Sequence, residues 1–243
     1  MVKSTRIIPA KEHVYLEGPK PRIYELGFAF EVLWQFIKGF RTLHFVGPCI
    51  TVFGSARFKE DHRYYKAAVQ MGKAIADLGF TTMTGGGPGI MEAANRGAYE
   101  NGGTSVGVNI KLPFEQHINP YVHKSITINY FFIRKVLLVK YSYAFIIMPG
   151  GFGTMDEYFE TLTLVQTKTI NDFPIVLFGK EYFQPLMDYC AYMVEQGTIS
   201  PQDMNLVLVT DDINEAVQHI RQYVQKNFTV KERRSISWLF EKR

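Results

Sequence analysis

Six short apolar runs constrain this chain more than any other feature. They fall at residues 50–53, 80–84, 105–109, 143–148, 174–178 and 206–209, and they lack the polar alternation of a strand with one wet face. Runs of that kind suit strands covered on both sides, as in a parallel sheet. Between and after them lie amphipathic stretches at 61–78, 90–101, 130–141, 154–168, 182–196 and 213–225, each long enough for a helix. Such strand–helix repetition predicts right-handed crossovers and a doubly wound, Rossmann-like α/β sheet with helices on both faces. The 243 residues, 47% of them hydrophobic, suffice for one such domain with a sizeable core.

The ends differ from the middle. Ile23, Leu26, Phe30, Leu33, Ile37 and Phe40 recur at spacings of three and four, which predicts an amphipathic helix ahead of the sheet. Phe28, Trp34 and Phe36 widen its apolar surface, so the helix is expected to pack on the domain or on a second subunit. A membrane-surface role is the alternative. The tail "SISWLFEKR", with Trp238, Leu239 and Phe240 among basic residues, invites the same two readings. The expected division is an extension at 1–44, a sheet domain at 45–230 and a basic tail at 231–243. Of the formal charge of +4, each end carries +3, which leaves −2 for the sheet domain. A near-neutral core with basic ends is not expected to bind nucleic acid. The apolar run at 144–148 is too short to cross a bilayer, and no basic stretch followed by an apolar one opens the chain. Cys49 and Cys190 stand too far apart in sequence for a metal knuckle or redox pair, so a reduced, cytoplasmic protein is expected.

Glycine-rich breaks follow three of the strands: "GSAR", "GGGPG" and "PGGFG". In a parallel sheet such loops share the carboxyl-end rim, where open α/β sheets bind ligands. Gly85, Gly86, Gly87 and Gly89 let backbone N–H groups approach an anion at the start of a helix. No Lys-Ser/Thr pair follows them, so this is not a P-loop. Ile90 stands where a dinucleotide fingerprint needs its third glycine, and the next strand ends without an acid to hold a ribose, which disfavours NAD.

In "MPGGFGTMDEYFETLT", Thr154 to Glu157 spells the T-x-x-E of a capping box, with Asp156 favouring the helix dipole. Caps do not account for Gly150, Gly151 and Gly153. Glycines and a hydroxyl at a helix N-terminus are what a phosphate needs, with a carboxylate one turn on. Arg134 and Lys135 form a charged pair within an otherwise apolar run; such a pair is either a solvated face or the partner of an anion. None of the six histidines lies at metal-ligand spacing.

"PGGFGTMDE" is similar to the P-G-G-x-G-T-x-x-E signature of the LOG ("lonely guy") family. "GGGPGIMEAANRGA" and the Arg134–Lys135 pair resemble its companion motifs, in order, and the likeness spans residues 50–225. The resemblance implies a cytokinin riboside 5′-monophosphate phosphoribohydrolase, which hydrolyses the N-glycosidic bond of an N6-substituted adenosine monophosphate to free base and ribose 5-phosphate. It implies no cofactor or metal, and at least a homodimer. It further implies Arg134 and Glu157 as the catalytic pair and Gly150, Gly151, Gly153 and Thr154 as the phosphate loop. Lys135 would lie beside the substrate, and Glu115 and Thr163 would contact nucleotide. Asp156 stands where many members carry glutamate, Ser55 matches a small polar residue of the first loop, and Gly86 and Gly87 belong to the companion motif. The label "lysine decarboxylase" borne by many relatives finds no evident pyridoxal-phosphate lysine here. Two alternatives remain: a general purine nucleotide 5′-monophosphate nucleosidase, and a module that binds nucleotide without cleaving it.

Overall fold

The computed structural model describes residues 21–112, 117–170 and 173–228. Seven strands form one sheet: β1 (Cys49–Phe53), β2 (Thr81–Thr84), β3 (Ser105–Ile110), β4 (Lys124–Ile128), β5 (Ser142–Ile147), β6 (Ile175–Phe178) and β7 (Val207–Thr210). Their order is β4-β3-β2-β1-β5-β6-β7, and every pairing is parallel. The helices are α1 (Arg22–Leu43), α2 (Arg63–Asp77), α3 (Ile90–Glu100), α4 (Phe131–Tyr141), α5 (Phe152–Gln166), α6 (Lys180–Glu195) and α7 (Ile213–Asn227). The doubly wound α/β expectation holds, and the tail at 231–243 lies outside the described residues.

Side chains alternate across the pleat and feed two cores. Phe53, Phe145, Ile147 and Leu177 face α4, α5 and α6 with Leu137, Tyr158 and Phe183. Ile50, Val52, Ala144 and Ile146 face α2, α3 and α7 with Met71, Ile90 and Ile220. Both faces are dry, which is why the central strands read as unbroken apolar runs. The seventh strand, β4, is an addition to the six expected. It is an edge strand reading Lys-Ser-Ile-Thr-Ile, with only Ile126 and Ile128 buried, so it offers no continuous apolar run.

The chain winds outward from β1 to β4, then returns and winds the other way from β5 to β7. The reversal falls between β1 and β5. Loops leaving the carboxyl ends of those two strands therefore diverge to opposite sides and leave a crevice. Beside it, α1 packs on α4 and β4, and a Cβ at Gly39 would stand 2.6 Å from Leu137 Cδ1.

The closest helix pair is α2 on α3. A Cβ at Gly72 would fall on the carbonyl oxygen of Ala94, and one at Gly97 on that of Val69. Alanine in place of a mid-helix glycine ordinarily stabilises by ~0.5–1 kcal/mol. At Gly72 the obstacle is backbone, so Gly72→Ala should instead cost ~1–3 kcal/mol, because the helices must separate. Gly27→Ala on α1, where a Cβ meets nothing within 4 Å, serves as the opposite case. Denaturant titration of both variants checks the contrast in sign.

Candidate active site

A cleft of about 680 Å³ opens over the β1/β5 reversal. Ser55, Ala56 and Arg57 line it from the loop after β1, and Gly150 to Thr154 from the loop and first turn after β5. Gly85, Asn109, Ile110, Phe131 and Arg134 complete the floor and far wall. The two main loops are joined: Ser55 N–H donates to Pro149 O at 2.9 Å, and the Tyr182 hydroxyl donates to Gly150 O at 2.7 Å. A Cβ at Gly150 would come within 2.9 Å of Ser55 N, so this junction requires glycine.

Helix α5 starts at Phe152 with Gly151 as its N-cap, three residues earlier than the capping-box reading expects. Thr154 therefore sits inside the first turn and no side-chain cap forms; the T-x-x-E box is corrected accordingly. The N–H groups of Thr154 and Met155 both reach Gly151 O. Those of Phe152 and Gly153 precede them and stand at the cleft, where the helix end favours negative charge. At Gly151 and Gly153 a Cβ would meet nothing within 4 Å, so the space above this turn is left open by the protein. Phe152 lies at the rim with its side chain 98% exposed.

The other glycine-rich loop does different work. Ile90 N–H, at the start of α3, donates to Ser55 O at 2.9 Å, so that helix end is already occupied. Gly86 has φ +73°, donates its N–H to Thr84 Oγ1 and lies against Gly107. Gly87 O accepts from Asn119 Nδ2, which also bonds Asn95 Oδ1 in a buried polar network. Gly86 and Gly87 shape this loop and do not themselves line the cleft. Gly85 is the one that matters locally, because a Cβ there would collide with the Arg134 guanidinium.

Arg134, on the first turn of α4, donates Nε–H to Val108 O at 2.9 Å and holds Nη1 3.5 Å from Glu157 Oε1. Their side chains are 12% and 2% exposed. Glu157 lies beneath Arg134 on α5, and its Oε2 is buried without a hydrogen-bond partner. Burial drives the Glu157 pKa up to about 7, against the opposing pull of Arg134 and Lys135. Burial likewise lowers that of Arg134, opposed by Glu157 and Asp156.

Lys135 does not reach the cleft. Its Nζ bonds Asp156 Oδ1 at 2.8 Å and pairs with Glu160 Oε2 at 3.0 Å. Partial burial opposes its charge, yet these two partners hold its pKa above the ordinary value. Neighbours on a helix point about 100° apart, so turning Arg134 and Glu157 inward turns Lys135 and Asp156 aside. Lys135 and Asp156 form a second cross-helix ion pair within this chain. Thr163, further along α5, gives its hydroxyl to Phe159 O and lines a separate cavity of about 100 Å³ against α6. Ser55 lines the cleft, and Glu115 lies outside the described residues. Arg57, Asn109 and Tyr182 line the cleft without having been singled out from the sequence. "GSAR" carried a signal for the first; Asn109 and Tyr182 arrive through the fold. Among the described residues no cluster of three or more histidine, cysteine or carboxylate side chains could hold a metal, and no lysine lines the cleft.

Residues 91–220 match the family model described as "possible lysine decarboxylase". A cytokinin riboside 5′-monophosphate phosphoribohydrolase of Rhodococcoides fascians is 34% identical over 177 residues, covering 71% of this chain and 88% of that protein. This chain belongs to the LOG family. An Arabidopsis thaliana cytokinin riboside 5′-monophosphate phosphoribohydrolase is 28% identical over 76% of the chain and 88% of its own length. Among solved structures, the molybdenum cofactor carrier protein of Chlamydomonas reinhardtii is 27% identical with a TM-score of 0.53, covering 74% of this chain and 99% of that one. A molybdenum cofactor binding protein from Rippkaea orientalis, at 22% identity and TM-score 0.56 over 73% and 98%, shares the fold.

The raised Glu157 pKa has a consequence for stability. The folded protein holds this proton more tightly than the unfolded chain, whose group titrates near 4.5. The contribution is therefore full below pH 4.5 and is lost as pH rises to about 7, amounting to roughly 3 kcal/mol at 1.36 kcal/mol per unit. Glu157→Gln should flatten unfolding free energy between those pH values relative to wild type, as denaturant titration across pH 4–8 will report.

Proposed function

We propose that this protein hydrolyses the N-glycosidic bond of adenosine 5′-monophosphates, with N6-substituted cytokinin nucleotides as the preferred class. The observation that carries this is the buried Arg134–Glu157 pair beside an open helix N-terminus, with one carboxylate oxygen left unpartnered. The phosphate sits at the first turn of α5, taking N–H groups of Phe152 and Gly153 and the Thr154 hydroxyl. Bond cleavage leaves positive charge on the ribose C1′ as its electron pair departs with the base. Ionised Glu157 stabilises that charge and takes a proton from the attacking water as its oxygen bonds C1′; that proton then passes to the departing base, which returns Glu157 to its ionised form. Arg134 binds a substrate oxygen and orients the sugar. The 3.5 Å separation from Glu157 is longer than a charge-assisted hydrogen bond, so the guanidinium retains donors for a ligand.

Free, buried Cys49 and Cys190 support a cytoplasmic setting, and no described helix is long and apolar enough to cross a membrane. The exposed Ile23, Phe30, Leu33 and Trp34 of α1, with Phe132 and Val136 of α4, support a homodimer or larger assembly of this chain. The division into extension, sheet domain and tail belongs to the same reading, with α1 as an added brace on the family's domain.

The likeness to a carrier protein favours one second reading, binding without cleavage. Incubation with AMP and with N6-isopentenyl-AMP, following free base and ribose 5-phosphate, separates them. Wild type should release both products, and Glu157→Gln should lose on the order of 10²- to 10⁴-fold in kcat. Preference for plain AMP would move the assignment to a general purine nucleotide 5′-monophosphate nucleosidase. Tight nucleotide binding with no release would establish the carrier.

A further inference from the structure

We infer that Arg57 is a second phosphate-binding residue, reaching from the β1 loop over the first turn of α5. The inference rests on reading the cleft as a nucleotide site. A phosphomonoester carries close to two negative charges at neutral pH. The α5 terminus supplies only partial positive charge, about half a unit. Arg134, the other cation of the cleft, gives its Nε–H to Val108 O, stands beside Glu157, and is assigned to the sugar in that reading. The described lining residues include no carboxylate, and Arg57 is the remaining cation among them.

Arg57 is exposed, and its guanidinium makes no ion pair or hydrogen bond with any described residue. Its backbone, in contrast, is held. Arg57 N–H donates to Ser55 Oγ at 3.1 Å, and Ser55 N–H donates to Pro149 O at 2.9 Å. Ser55 O takes the first N–H of α3, which pins the loop from its other side. The residue thus leaves a fixed turn directly beside the Gly150–Gly153 loop, with an exposed side chain and open space above Gly151 and Gly153. An arginine fork on one side and helix N–H groups on the other is a geometry suited to phosphate oxygens.

The test compares wild type, Arg57→Ala and Arg57→Lys. Titration calorimetry with ribose 5-phosphate should show ~10- to 100-fold weaker binding for Arg57→Ala, with partial recovery in Arg57→Lys. With AMP and adenosine as substrates, Arg57→Ala should lower kcat/KM for AMP by a similar factor and leave that for adenosine within ~3-fold. Unchanged ribose 5-phosphate binding, or equal losses on AMP and adenosine, would overturn the inference. Should wild type bind ribose 5-phosphate yet cleave neither substrate, the hydrolase reading fails while the binding arm still decides Arg57. Circular dichroism confirms that this exposed substitution leaves the fold intact.

Discussion

Placing a carboxylate and a guanidinium side by side under the rim of a sheet is the constraint around which this molecule is arranged. Removing each ion from water costs several kcal/mol even after relaxation. The structure offsets part of that for Arg134 with the Val108 carbonyl and with the space left by Gly85. It offsets less for Glu157, whose second oxygen stays unpartnered and whose proton is held to about pH 7. An unsatisfied buried acid is a poor way to stabilise a fold and a good way to prepare one for a cationic transition state. The parallel sheet makes the arrangement possible, because its reversal between β1 and β5 opens the only kind of gap where α4 and α5 can converge over strand ends.

Helix α1 takes part in this through α4. The Asn129 N–H, just ahead of α4, donates to Gln35 Oε1 at 2.8 Å, while Glu31 accepts from the Asn129 side chain and the Tyr130 hydroxyl. Tyr130, the N-cap of α4, supplies no capping bond of its own. An element outside the matched family region thereby fastens the helix that carries Arg134, and Gly39 lets the two helices close onto Leu137. The apolar face that α1 keeps exposed is a separate matter of assembly.

The fold was largely legible because burial on both faces writes itself into sequence as apolar runs. β4 escaped for the same reason in reverse: an edge strand with alternate residues in water leaves no run. At the candidate site, the motifs singled out Arg134, Glu157 and the loop at Gly151 and Gly153. What sequence could not supply was phase and competition. Lys135 and Asp156 sit one residue from the functional pair, and one residue on a helix is enough to send them to each other. Gly86 and Gly87 lead to a helix end whose first N–H, that of Ile90, is taken by Ser55 O. Arg57 and Tyr182 gained their places only when separate loops met at Gly150.

The central claim is that the Glu157 carboxylate, ionised against its burial, does the chemistry. The pH dependence of kcat/KM for AMP between pH 5 and 9 tests it most directly, since that profile reports the free protein's own groups. The account predicts a rising limb with its midpoint near 7, the value to which burial pushes Glu157, and no such limb in the residual activity of Glu157→Gln. Titration of the substrate's phosphate contributes equally to both profiles, so the ratio of wild type to mutant isolates the limb that belongs to Glu157. A wild-type rate that is flat across this range, or a limb that survives unchanged in Glu157→Gln, would contradict the account.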